Sequence, residues 1–132
     1  MRLFLIPVLI FILLSAGDSQ SQESRDYYER GVRKTENNNL KGAIIDFTKA
    51  IELDTNFQVA YYNRGYAYLF SGETEKAKSD FNTSLKLNPV NAYLLRNLGH
   101  YYYAVKDFEK AKEKWEKAVR WISNSKKNSE NI

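Results

Sequence analysis

Displacing the sequence by 34 residues lays small residues on small ones and aromatic residues on aromatic ones. Gly31, Gly65 and Gly99 fall in one column, and Ala43, Ala77 and Ala111 in a second. Phe47, Phe81 and Trp115 make a third, and Ala50, Ser84 and Ala118 a fourth. Four columns keep one period without an insertion. A fixed period of this size marks an array of supersecondary units, each covered by its neighbour because none can bury its apolar face alone. The core of such a chain is spread along its length.

Within each unit the apolar spacing is helical, and two amphipathic helices are predicted. They run over Ser24–Glu36 and Leu40–Leu53, Gln58–Phe70 and Thr74–Leu87, and Ala92–Val105 and Phe108–Ile122. Turn chemistry separates them. Asn37-Asn38-Asn39 and Ser71-Gly72 end the first helices of units one and two. Asp54-Thr55-Asn56 and Asn88-Pro89 end the second helices, and Pro89 cannot continue one. Lys106-Asp107 supplies an N-cap before Phe108. A glycine inside a helix costs about 1 kcal/mol relative to alanine, so three of them in mid-helix imply close helix approach. Gly65 and Ala77 are the expected contact pair across one hairpin. Ala50, Ser84 and Ala118 are expected to meet the following unit. Phe47, Phe81 and Trp115 fill the gaps, with Ile51, Leu85, Val119, Leu53, Leu87 and Trp121.

These residues resemble the tetratricopeptide repeat, whose pattern is W-x2-L-G-x2-Y, then A-x3-F, then P. The third unit carries Leu95, Leu98, Gly99 and Tyr102. The second carries Tyr61, Arg64, Gly65 and Tyr68, then Ala77, Phe81 and Pro89. The first carries Tyr27, Arg30, Gly31 and Lys34, with Thr55 where proline is usual. The resemblance implies an all-α, right-handed α-solenoid of three helix-turn-helix units, with the first helices lining a concave groove. The expected boundaries are 24–57, 58–91 and 92–125, followed by a polar tail over 126–132.

Ahead of the repeats, Arg2 is a positive start, Leu3 to Leu14 is apolar, and Ser15, Ala16 and Gly17 are small. That is the layout of a cleaved signal peptide over residues 1–19. The rival reading is an uncleaved membrane anchor, but the apolar run is shorter than the roughly 20 residues that span a bilayer. Residues 20–23 read as a polar linker. The expected location is therefore the periplasm or the cell exterior.

Little in the chain points to catalysis. His100 is the single histidine and there is no cysteine, so no thiolate nucleophile, disulfide or cysteine-ligated metal site is expected. No glycine-rich phosphate loop is present, since the glycines fall inside helices or at turns. No catalytic residue, metal, cofactor or small-molecule substrate is predicted. Asn82-Thr83-Ser84 is a glycosylation sequon inside a predicted helix and reads as incidental. The net charge is +4, but lysines and arginines alternate with acids as on solvated helix faces. Nucleic acid is therefore not an expected partner.

Helical spacing from the close-packed glycines places a further set of side chains on the open face. In unit one these are Arg25, Tyr28, Glu29 and Val32. In unit two they are Val59, Tyr62, Asn63, Tyr66, Leu69 and Phe70. In unit three they are Tyr93, Arg96, Asn97, His100 and Tyr103. Tyrosine gives a large contact area at low entropy cost and keeps a polar tip. Asn63 and Asn97 have the donors and acceptors to hold a peptide backbone, and these groove residues are expected to serve binding rather than stability. Some of the tyrosines are expected to pack between neighbouring helices instead. Members of the resembled family that clamp a C-terminal carboxylate do so with lysines, asparagines and an arginine. The matching positions here are Tyr28, Val32, Asn63, Tyr93 and Asn97, of which only Asn63 fits, so binding of that kind is not expected.

The leading expectation is a non-enzymatic, exported adaptor that holds a peptide or helix of a partner protein. The alternative is a structural subunit of a larger envelope assembly. A second contact face is expected on the last helix, where Trp121 and Ile122 have no following unit to cover them. Self-association or a partner protein would bury it.

Overall fold

The computed structural model describes residues 5–89 and 92–130, with the backbone alone for 5–16 and 130. Arg2 and Leu3 of the predicted leader, and Asn131 and Ile132 of the predicted tail, lie outside the described residues. Among the described residues there are six helices and no strand: α1 (Leu5–Glu36), α2 (Leu40–Leu53), α3 (Gln58–Phe70), α4 (Thr74–Leu87), α5 (Ala92–Ala104) and α6 (Phe108–Glu130). They pair as three hairpins, α1 with α2, α3 with α4 and α5 with α6, and α3 and α5 stack on the hairpins before them. The result is the right-handed helical solenoid expected from the repeat.

The outer helices overrun their expected ends. Residues 20–23, read as a linker, are helical, and α1 extends upstream to Leu5. Gln20 Nε2 donates to the Leu53 carbonyl at 2.9 Å, and the buried Ser24 hydroxyl donates to the Ala50 carbonyl at 2.9 Å. Both bonds tie this part of α1 to the end of α2. The polar tail expected from residue 126 is likewise helical up to Glu130. Neither 20–23 nor 126–130 contains a proline, and polar residues cost a helix only a few tenths of a kcal/mol each. Among the described residues, no helix is long and apolar enough to cross a membrane.

The hairpin turns repeat in backbone as well as in sequence. Asn38, Gly72 and Lys106 share one column, and their φ angles are 57°, 81° and 62°. The residue after each immediately precedes the first residue of the next helix. Asn39 Oδ1 accepts from Gly42 N at 3.0 Å, and Asp107 Oδ1 accepts from Lys110 N at 3.2 Å. The left-handed conformation costs an L-residue roughly 1–2 kcal/mol, least for glycine and asparagine. Gly72→Ala is therefore expected to destabilise by about 1–2 kcal/mol. Lys106→Gly should shift stability the other way by up to about 1 kcal/mol. Thermal melts of the two variants check the opposite signs.

Each glycine of the repeated column faces an aromatic ring. A Cβ on Gly31 would lie 2.6 Å from Phe47 Cε1, and one on Gly65 would lie 2.9 Å from Phe81 Cδ1 and 3.2 Å from Asp80 Cβ. One on Gly99 would overlap the Trp115 indole. The glycine column is thus explained by the aromatic column 16 residues on. This corrects the expected Gly65–Ala77 pairing: Ala77 is fully buried, but Phe81 and Asp80 are what fill the space against Gly65. One buried cluster joins Ala50, Ile51 and Ala60 between hairpins one and two. Another joins Ala77, Phe81, Leu94, Leu98 and Tyr101 between hairpins two and three.

Ion pairs cross-link the first two hairpins. Arg64 Nε and Nη2 grip Asp80 at 2.7 and 2.8 Å, and Arg30 grips Asp46 in the same fork at 2.8 and 2.7 Å. Lys34 also reaches Asp46, at 2.7 Å. The Arg30 hydrogen bonds, with help from Lys34, hold the Asp46 carboxyl below the usual carboxylate range. In the third hairpin the matching positions are Leu98 and Lys114, so the pair has no counterpart there.

Candidate peptide-binding face

The predicted groove residues divide into two groups. Tyr28 and Tyr62 turn inward. The Tyr28 ring lies 5.9 Å from Phe47 and 5.0 Å from Phe57, and the Tyr62 ring lies 6.4 Å from Phe81. Their hydroxyls accept from the next hairpin: Asn63 Nδ2 donates to Tyr28 at 3.1 Å, and Asn97 Nδ2 donates to Tyr62 at 2.7 Å. Asn63 also donates to the Val59 carbonyl at 3.0 Å. Burial raises the pKa of both tyrosines, offset at Tyr28 by the Asn63 bond and at Tyr62 by the nearby Arg96 charge.

These four residues make a ladder with a 35-residue step that fixes one hairpin on the next. The expectation that Tyr62, Asn63 and Asn97 serve binding and not stability is corrected on this point. Asn97 is only 3% exposed, and its amide donor is committed to Tyr62. The signal was present in the sequence, since tyrosine and asparagine recur together at this spacing. Side-chain type alone does not say whether an amide faces a ligand or a neighbour.

The second group stays open. Phe70, Tyr93, Arg96, His100 and Tyr103 are exposed, while Tyr66 and Val32 are half-buried. The rings gather in two places. Tyr66 and Phe70 stack with centroids 4.5 Å apart on α3. Tyr103 meets Phe108 at 5.4 Å and Trp115 at 6.0 Å, and His100 sets its edge on Trp115 at 5.6 Å. The Arg96 guanidinium lies 5.4 Å over the Tyr93 ring. The open aromatic surface therefore belongs to the second and third hairpins. Tyr28 and Val32 of the first are half-buried and add little to it.

Trp115, expected as core filling, also belongs to this surface. Its indole Nε1 donates to the Arg96 carbonyl at 3.1 Å, which sets the ring against α5. The clue was its place in the column of Phe47 and Phe81: an indole is too large for the space a phenyl ring fills. Among the described residues, no cluster of three histidine, cysteine, aspartate or glutamate side chains is placed to hold a metal ion.

Two family models, each described as a tetratricopeptide repeat, match residues 59–91 and 92–124. No curated protein sequence matches the chain. Among solved structures, the first tetratricopeptide domain of Spaghetti (RPAP3), bound to the HSP90 peptide SRMEEVD, is 26% identical with a TM-score of 0.74. The match covers 79% of this chain and 82% of that one. The Sgt2 domain of Aspergillus fumigatus is 26% identical with a TM-score of 0.72, over 77% of this chain and 68% of that one. MamA, at 23% identity and a TM-score of 0.73, shares the fold over 81% of this chain and 63% of its own.

Proposed function

We propose that this chain, which belongs to the tetratricopeptide repeat family, is an exported, non-enzymatic adaptor that holds an extended segment of a partner protein against α3 and α5. The first hairpin, α1–α2, serves as a further repeat of the same kind. The observation that carries this reading is the pair of exposed aromatic groups, Tyr66 with Phe70 and His100 with Tyr103, Phe108 and Trp115, lying on one solenoid. Exposed aromatic anchors are what hot spots of protein interfaces are made of. The peptide seen on the 26% identical Spaghetti domain supports the same use of the fold. Export rests on the leader layout of Arg2, Leu3–Leu14 and Ser15-Ala16-Gly17.

The chemistry of the bound segment differs from that of an acidic tail. Positions Tyr28, Val32 and Tyr93 present no cation, and Asn97 is buried. The surface suits a segment with apolar or aromatic side chains, whose backbone meets the tyrosine hydroxyls.

The test is a library of short extended peptides presented to the domain. Selected peptides should carry an apolar or aromatic anchor. Tyr66→Ala with Phe70→Ala should weaken them at least about tenfold, with little change in thermal midpoint because neither side chain is core. Lys78→Ala on the opposite face should change nothing. Unimpaired binding by the double variant, with loss in the Lys78 variant, would place the site elsewhere.

A further inference from the structure

Hairpin three ends the described solenoid on an apolar platform. On α6, Val119 is 62% exposed, Trp121 41% and Ile122 54%. With Ala92, Tyr93 and Arg96 of α5 they border a cavity of about 500 Å³. The second hairpin shows what covers such a platform. Leu94, Leu98 and Tyr101 of α5 pack on Ala77 and Phe81, with Tyr62 and Leu85 at the edge. Asn97, between them on the same face, donates to the Tyr62 hydroxyl. One period later the platform residues are Ala111, Trp115, Val119 and Arg96. The platform repeats, but α6 runs straight on to Glu130 past the point where α2 and α4 stop. Nothing among the described residues turns back across it.

The α5 cover gives the pattern: a helix with apolar side chains at i, i+4 and i+7, as in Leu94, Leu98 and Tyr101, and a polar residue at i+3, as in Asn97. The α3 cover, on the first hairpin, keeps Ala60 and Ala67 at i and i+7 and Asn63 at i+3, with Arg64 at i+4. At i+3 this platform differs from the one below it. Tyr62 accepts a hydrogen bond, whereas Arg96 donates only, and its best complement is a carboxylate. Arg120 lies on the same rim beside Val119. Glu116, next to it, is offset by Lys112 at 4.0 Å.

A second copy of the chain is a poor cover. Stacked head to tail it would present α1, whose Glu29 meets the i+3 position but whose residues at i and i+7, apolar in both α3 and α5, are Asp26 and Arg33. Setting these two charged side chains where both existing covers are apolar is unfavourable.

We infer that the α5–α6 end is a docking site for an amphipathic helix of a partner protein, with apolar residues at i, i+4 and i+7 and a carboxylate at i+3 directed at Arg96. The site shares Trp115 with the proposed peptide face but not Tyr66 or Phe70, so the Tyr66→Ala, Phe70→Ala variant should leave its occupation unchanged.

Trp115 and Trp121 are the only two tryptophans in the chain, and both line the cavity. Intrinsic tryptophan emission thus reports its occupation. The probe is a synthetic, terminally blocked helical peptide built on residues 92–104, with Glu in place of Asn97. It should produce a saturable blue shift. A matched peptide with Lys at that place should bind about tenfold or more weakly. Arg96→Glu should reverse the order of the two peptides, a change that loss of folding cannot imitate. Val119→Asp should abolish both.

The proposal is overturned if neither peptide gives a saturable shift, or if Arg96→Glu leaves their order unchanged. It is also overturned if the chain alone sediments as a dimer with blue-shifted emission that Trp121→Glu converts to a monomer, since the occupant is then a second copy.

Discussion

Arg64→Ala is expected to destabilise the fold by about 3–5 kcal/mol, the cost of leaving one member of a buried ion pair alone. Asp80 is only 7% exposed and Arg64 16%, so water cannot replace the lost partner. Arg64 does more than neutralise Asp80. Its Nη1 donates to Thr48 Oγ1 at 3.1 Å, so one guanidinium joins α3 to α4 and also to α2 of the hairpin below. The Tyr61 and Tyr68 rings lie 5.7 and 5.8 Å from its centre. For a domain of this size the thermal midpoint should fall by roughly 12–40 °C.

The homologous change in the first hairpin, Arg30→Ala, should cost clearly less. Arg30 is half exposed, and Lys34 remains beside Asp46. A double variant, Arg64→Met with Asp80→Leu, should regain much of the loss, because apolar groups of similar volume often replace a buried pair at little cost. Equal midpoints for Arg64→Ala and the parent would show that the pair contributes only at the surface level. A double variant no better than the single would place the loss in Thr48 and the tyrosines instead.

The columns of small and aromatic residues made the hairpins legible, because helix packing leaves the same few positions without room in every unit. The bounds of α2, α3 and α4 follow from turn residues that local chemistry fixes: Asn39 as a cap, Gly72 at positive φ, Pro89 after α4. The outer ends of α1 and α6 were not legible. A helix in a repeat array is stopped by a breaker or a packed turn, and the polar stretches 20–23 and 123–130 contain neither.

The candidate site was legible as a face and not as individual roles. Tyr62, Tyr66 and Tyr93 share a residue type, yet one is built into the ladder, one is stacked on Phe70, and one stands exposed under Arg96. What separates them is the neighbour supplied by the next hairpin, a contact about 35 residues away that helical periodicity cannot express. The roles of Asp46 and Asp80 are illegible in the sequence for the same reason. An aspartate every 34 residues reads as surface charge until its arginine, 16 residues earlier, is seen in the fork beside it.

Gly65→Leu is expected to destabilise by about 1–3 kcal/mol or more through overpacking, and a graded series makes the cause identifiable. Gly65→Ala adds one methyl group, 2.9 Å from two carbons of Phe81 and 3.2 Å from Asp80 Cβ. Phe81 is fully buried, so its ring has nowhere to swing. Moving Asp80 disturbs the Arg64 fork. On helix propensity alone, glycine to alanine would stabilise by about 1 kcal/mol, so a net loss measures the clash.

Gly99→Ala meets a closer ring on paper, yet it should cost less. Trp115 stands at the open end and can rotate outward, giving up its bond to the Arg96 carbonyl. Pairing Gly65→Ala with Phe81→Leu should recover part of the loss, as expected for two residues competing for one space. Thermal melts of the five variants, Phe81→Leu alone included, decide the matter. A neutral Gly65→Leu, or additive effects of Gly65→Ala and Phe81→Leu, would show that the two helices do not meet at this glycine. The column that organises the whole chain would then need another explanation.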